Sequence, residues 1–312
     1  MKYFLLKTGL FGIFAFAFYI IAMPIWSIIF PPFLAKNVRS CVGCYGHFNS
    51  RTKDAKNVKN PDILFLGSSH SYRGFDTRVF EKNGFKTFNF GSSSQSPINT
   101  NVILKQYIDE IKPKFVIYEV FAGTIGVDGQ ESSLDILSNG KLDYHAVNMA
   151  FEQNKLNIYN TLIFSSFRNL FNLNSNFVEP EKQNGDFYIK NGGYVATTFK
   201  KNPLREEEIK PWNINPQQWE KLKENIAILK EKKIPYLLVQ TPITQKLYDA
   251  RKNNNELDEK LSKLGPYKNF YGDLILNDTI DFYDSNHMNQ QAVEQFNEHL
   301  IQYLKDHHLI KK

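Results

Sequence analysis

The chain has 312 residues, a net charge of +6 and 42% hydrophobic residues. That is enough for one large domain with a sizeable core and an insertion. The charges are mixed along the chain and no Lys/Arg block is interleaved with aromatics, which excludes a nucleic-acid-binding face and leaves at most a mild attraction to anionic surfaces or glycans.

Thr8 to Phe30 is free of charged residues over 23 positions, about 35 Å as a helix, enough to span a bilayer. Lys2 and Lys7 flank it, and Pro24 and Pro31-Pro32 are expected to kink and end it. A secretory signal peptide is the competing reading, but the run is long for one and no small-x-small site follows cleanly. Residues 1–30 therefore read as an uncleaved membrane anchor. Lys36, Arg39, Arg51 and Lys53 lie beyond it, so flanking charge does not decide its orientation. Residues 31–60 read as a polar linker. They hold both cysteines, Cys41 and Cys44, expected as a local disulfide or an inert pair. Two thiols alone cannot close a four-ligand zinc site.

From residue 61 to 312 the pattern is that of one α/β domain. Strands are expected at 62–66, 86–90 and 115–120, with helices at 76–82 and 97–111 between them. This alternation predicts a parallel sheet covered on both faces. Residues 121–212, rich in Asn, Phe and Tyr, break the pattern and read as a partly helical insertion, either a lid that shapes the substrate site or a packing decoration. The alternation resumes with a helix at 216–232, a strand at 235–240, helical structure from 242 to about 264, a last strand at 280–283 and a last helix at 288–305. The apolar stripe Val293, Phe296, Leu300, Ile301, Leu304 marks that helix.

Two places can carry chemistry. Four apolar residues, Ile63 to Leu66, run into Gly67, Ser68, Ser69 and His70. A hydroxyl where a strand passes into a helix sits where ligands bind in parallel sheets, and first-turn amides there can stabilise an oxyanion. Ser69 is the candidate nucleophile, and His70 reads as a supporting or helix-surface residue. Late in the chain stands Asp284-x-x-His287, an acid within one turn of a base. His287 is the candidate base and Asp284 its orienter, in the order Ser, Asp, His along the chain. Gly91 ends the second strand and can offer its amide to a substrate oxygen, with Gln95 as a further donor. Each has a bland alternative: a helix-capping serine, a capping Asp beside a surface His, a turn glycine.

Gly67-Ser-Ser69, Gly91 and Asp284-x-x-His287 resemble, in order and placement, the SGNH (GDSL-like) hydrolase superfamily. The Gly-Ser-Ser start, Phe90-Gly-Ser-Ser-Ser-Gln95 and Asp284-Ser-Asn-His-Met-Asn289 resemble its membrane-anchored branch, which includes the teichoic-acid D-alanyl transfer protein and the alginate O-acetylation proteins. The resemblance covers 62–120 and 216–305. It implies a flavodoxin-like three-layer α/β/α sandwich with a parallel sheet, here preceded by one N-terminal transmembrane helix. It further implies Ser69 as nucleophile, His287 as base, Asp284 as orienter, and the Gly91 and Ser69 amides as oxyanion donors. One block departs: no Asn follows the third strand, where Glu119 is the nearest polar group. A carboxylate repels an oxyanion, so Glu119 is expected to bind a substrate hydroxyl or pair with Arg73.

The expectation is a serine esterase or O-acyltransferase at the outer face of a cytoplasmic membrane, acting on an acyl ester or glycan of the cell envelope. No cofactor or metal is called for. A multi-spanning membrane acyltransferase is a partner implied by the resemblance alone. The alternatives are a catalytically silent SGNH-like binding or assembly subunit and, more weakly, a metal phosphoesterase built on His70, Asp284 and His287.

Overall fold

A computed structural model describes residues 1–201, Pro203 and 206–310. The charged run at 205–208 therefore starts at a residue, Arg205, that lies outside the described residues. Helix α1 (Lys2–Ile29) is 28 residues long and continues through Pro24 instead of ending there. Its mean hydropathy reaches 2.1 over the best 18-residue window, so it is long and apolar enough to cross a bilayer.

Residues 31–60, expected as a linker, are folded onto the domain. Helix α2 (Phe48–Ala55) buries Phe48, Asn49, Arg51, Thr52 and Ala55. The chain before it is fastened by an Arg39–Asp135 ion pair at 2.5 Å and by the Gly43 amide donating to Asn139 Oδ1 at 2.8 Å. Cys41 and Cys44 are joined as a disulfide. Polar composition misleads here because the partners of these groups lie about a hundred residues further along the chain.

The frame follows as β1 (Ile63–Leu66), α3 (Ser69–Tyr72), α4 (Thr77–Lys82), β2 (Thr87–Asn89), α5 (Pro97–Ile111) and β3 (Phe115–Glu119). The insertion holds α6 (Ala122–Gly126), α7 (Gln130–Asn139), α8 (Tyr144–Gln153) and α9 (Leu156–Leu170). It ends in β4 (Lys182–Gln183), β5 (Asp186–Tyr188) and β6 (Val195–Thr197), a small antiparallel sheet. The frame resumes with α10 (Pro216–Glu231), β7 (Tyr236–Gln240), α11 (Gln245–Asp249), α12 (Asn254–Ser262), β8 (Tyr267–Asn269) and α13 (Gln290–Asp306).

The main sheet has five strands in the order β2-β1-β3-β7-β8, every pair parallel. Counted along the frame this is 2-1-3-4-5, the doubly wound order whose switch point lies between the first and third strands. Alternate residues feed two cores. Leu64, Leu66, Val116, Tyr118 and Leu238 face the side covered by α5 and α10, whereas Ile63, Phe65, Phe115, Ile117, Leu237 and Val239 face the side covered by α4 and α13.

Two expectations on the frame fail. The fifth strand is β8 (Tyr267–Asn269) and not 280–283, where only a Phe282–Met288 bridge forms. Phe282 is apolar because it is buried beneath a tight loop, at 1% exposure. The helical stretch 242–264 is two short helices, broken around Asn253, the first capped by Thr244.

Candidate active site

The geometry starts at Gly67, which turns the chain out of β1 at φ +135°, and a Cβ there would sit 2.6 Å from Glu119 Oε2. Only glycine fits both the angle and the space. Ser68 caps α3 by accepting from the His70 amide and donates its hydroxyl to Glu119 Oε2 at 2.8 Å. Ser69 follows, half-buried, and its own amide has no hydrogen-bond partner among the described residues. The stretch 281–289 brings up the other half. Asp284 Oδ1 accepts from the Asn286 and His287 amides at 2.9 and 2.7 Å, forming an Asx turn. Thr244 fastens this loop to the end of β7, its hydroxyl donating to the Ser285 carbonyl at 2.6 Å.

The turn sets the imidazole. His287 Nδ1 donates to Asp284 Oδ2 at 2.8 Å, and Nε2 stands 2.8 Å from Ser69 Oγ. With the proton on Nδ1, Nε2 is the acceptor for the serine hydroxyl. Burial works against ionisation of Asp284, but the His287 ring and the two amides hold its pKa down to about 2. Ser69, Asp284 and His287 therefore converge at the carboxyl end of β1, although 218 positions separate serine from histidine.

His70 is neither solvent-facing nor idle. It is 4% exposed, stacks on Phe121 at 4.0 Å and on His287 at 4.7 Å, and its Nδ1 meets Thr241 Oγ1 at 3.1 Å. Burial and the neighbouring His287 push its pKa well below the ordinary range, so it is a neutral ring wedged behind the His287 imidazole. Its Nε2 is buried without a partner among the described residues, beside a void of about 10 Å³ that Ser69 and His287 also line, room for roughly one water. Tyr283 also stacks on the cluster, 5.4 Å from the His287 ring.

The other expected residues divide. Gly91 lies against the nucleophile turn: a Cβ there would come within 2.9 Å of the Gly67 and Ser68 carbonyls. Its amide, however, donates to Asn89 Oδ1 at 3.1 Å, and its carbonyl accepts from the fully buried Arg51 at 2.8 Å. Gln95 cannot serve as an oxyanion donor. Its Nε2 donates to Thr100 Oγ1 and its Oε1 accepts from Ser92, which fixes the amide inside the α5 entry turn. Glu119 does not pair with Arg73. It accepts from the Ser68 amide and hydroxyl and from the Phe121 amide, and thereby braces the turn that carries Ser69. Burial pushes its pKa up to about 7, with those donors pulling it back. Arg73 forms a two-pronged pair with Asp186 of β5, both bonds at 2.6 Å, and is not free to bind substrate. Among the described residues, no group of three or more His, Cys, Asp or Glu is placed to hold a metal ion.

Sequence reasoning missed Arg51, Asn89, Asp186 and Thr244. Asn89 had a signal, as a polar residue between Phe88 and Phe90 at the end of the second strand. The other three sit in polar stretches with no local pattern to single them out.

No family model matches the chain and no curated protein does. Among solved structures it is similar to a protein described as an acylhydrolase of Bacteroides fragilis, with TM-score 0.41, 11% identity, and 81% of this chain and 94% of that one covered. It is also similar to a GDSL-like lipase of Bacteroides thetaiotaomicron, with TM-score 0.41, 10% identity, and 83% of this chain and 98% of that one covered.

Proposed function

We propose that this chain is a serine esterase or O-acyltransferase of the SGNH (GDSL-like) type, held at a membrane by α1 and acting through an acyl-serine. The observation that carries the reading is the continuous hydrogen-bonded relay from Asp284 through His287 to Ser69, with both links at 2.8 Å. Ser69 Oγ attacks an ester carbonyl carbon while His287 Nε2 takes the hydroxyl proton, giving a tetrahedral oxyanion. The unpaired Ser69 amide is in place for that charge, and the Gly91 amide joins it by exchanging its bond to Asn89 for one to the anion. The carbon–oxygen bond to the leaving alcohol then breaks, and His287 returns the proton to that alcohol. Water attack on the acyl-serine completes hydrolysis; a sugar hydroxyl completes transfer, with His287 again taking and returning the proton.

The substrate reading is an acylated envelope polysaccharide or glycoconjugate, with the catalytic domain outside the cytoplasmic membrane and a multi-spanning acyltransferase as partner. It is supported by the N-terminal apolar helix and by exposed aromatics such as Tyr144, Phe187 and Phe199 in the insertion, which suit sugar stacking. A second reading, a silent SGNH-like binding subunit, is favoured by the occupied Gly91 amide and the near-closed space beside Ser69.

A fluorophosphonate probe read by intact mass separates the two. The enzyme reading expects one adduct on folded wild-type protein and none on Ser69→Ala. An unlabelled wild type, or equal labelling of the variant, overturns it. Acetate release from an acetylated glycan, measured with and without an oligosaccharide acceptor, then distinguishes hydrolysis from transfer.

A further inference from the structure

We propose that a second cavity, of about 440 Å³ and walled by α2, the C-terminal ends of α7 and α9 and residues 172–175, binds a sugar carrying a phosphate or carboxylate group. Its volume falls in the range of small-molecule sites. The site does not depend on Ser69 chemistry.

The cavity wall is made by a deliberate stripe. Asn49, Thr52, Lys53 and Lys56 recur along α2 and just past its end at spacings of three and four and so share one helix face, and all four line the cavity. Arg51, on another face of the same helix, turns away to the Gly91 and Gly193 carbonyls. Opposite the stripe stands Arg168 of α9, 4% exposed. Its terminal nitrogens donate to the Ser40 and Ser138 carbonyls and to Ser165 Oγ, but its Nε has no partner among the described residues. Asn49, 6% exposed, also has an unpartnered Nδ2. Two buried donors on residues that line the cavity thus lack acceptors among the described residues. A buried donor left unpaired is costly; both atoms are closed to solvent, so an acceptor in the cavity reaches them only as their side chains turn to meet it.

Charge gives the sign of that ligand. Lys53, Lys56, Lys141 and Arg168 line the cavity, and no Asp or Glu does. Lys141 is paired outward with Glu110 at 2.6 Å. Lys53, Lys56 and Arg168 make no ion pair among the described residues. Burial with no compensating acid pulls the Arg168 pKa down to about 10. A buried guanidinium without a counter-charge is strongly unfavourable, and an incoming anion removes the deficit. The rest of the wall mixes the asparagines 139, 169, 172 and 174 and the hydroxyl residues Tyr107, Ser138 and Ser175 with the apolar Val42, Leu137 and Leu142, polar groups that suit sugar hydroxyls beside apolar ones that suit a sugar's C–H face.

The test uses the full chain in detergent at low ionic strength, with inorganic phosphate, glucose 6-phosphate, glucuronate and glucose as probes in calorimetric titrations. The charged sugars are expected to bind saturably, about tenfold or more tighter than glucose, and more weakly as salt is raised. Lys53→Gln/Lys56→Gln, two exposed positions, is expected to weaken that binding about tenfold while fluorophosphonate labelling at Ser69 is unchanged. Arg168→Gln is expected to abolish it, and the lysine pair keeps the test valid if that variant does not fold. Tighter binding of glucose 6-phosphate than glucuronate names phosphate as the group, and the reverse names carboxylate. No saturable binding of either charged sugar overturns the site. So does binding unaltered in the lysine variant. Inorganic phosphate binding as tightly as both charged sugars overturns the sugar assignment.

Discussion

The surroundings of Ser69 and the cavity behind α2 treat charge in opposite ways. Around Ser69 every charge is answered from within the chain: Asp284 by His287 and two amides, Arg73 by Asp186, Glu119 by three donors. In the cavity Lys53, Lys56 and Arg168 have no carboxylate partner among the described residues, Lys53 reaching only the Phe177 carbonyl, and two buried donors lack acceptors there. On the proposed function, the first arrangement holds the reacting groups still before substrate arrives. The second leaves interaction energy to be satisfied by a ligand.

The comparison breaks most severely if the paired cluster is inert. Ser69→Ala is expected to lower p-nitrophenyl acetate turnover about 10⁴-fold or more, with an unchanged melting temperature. A small effect on rate would move the chemistry elsewhere. Asp284→Asn should lower turnover by about 10³-fold, because the amide no longer holds the His287 tautomer; near-wild-type rates would mean the relay is not used. Asp186→Ala leaves the half-buried Arg73 guanidinium without its partner and should destabilise by about 2–3 kcal/mol, measured by urea unfolding. Recovery in Arg73→Met/Asp186→Leu would show that the pair secures the small sheet without adding net stability.

The smallest effect is on pH. An unfolded Glu119 loses its proton near the ordinary 4.5, whereas the folded one holds it to about 7. The folded state thus binds more protons in that window, and stability falls as pH rises from about 4.5 to 7, by up to about 3 kcal/mol. Asp135, also raised to about 7 by burial, adds a slope of the same sign. Glu119→Gln should remove about half of the fall. An unaltered slope would show that Glu119 is ionised throughout, held so by its three donors.

Helices with a capping signal and an apolar period could be read directly. Pro97–Ile111 has the bounds that its proline start and stripe predict, and Asp76 caps Thr77–Lys82. The edge strand Tyr267–Asn269 could not, because three half-buried residues leave no period, and Ile280–Tyr283 misled because Phe282 is buried in a loop. In the site, Ser69, Asp284 and His287 were legible because a serine after a strand and an acid three positions before a histidine are local patterns. Gln95 and Arg73 were not: whether an amide or guanidinium is free depends on partners such as Thr100 and Asp186, the latter 113 positions away.

The sequence alone determined the α/β alternation, the apolar N-terminal helix and the local Asp284–His287 turn, since backbone periods and short-range hydrogen bonds are written in neighbouring residues. Only the tertiary structure decided that His287 reaches Ser69, that Glu119 braces the nucleophile turn, and that α2 joins the domain and opens a cation-lined cavity. Those facts depend on which distant segments the strand order places side by side, and no local spacing encodes that.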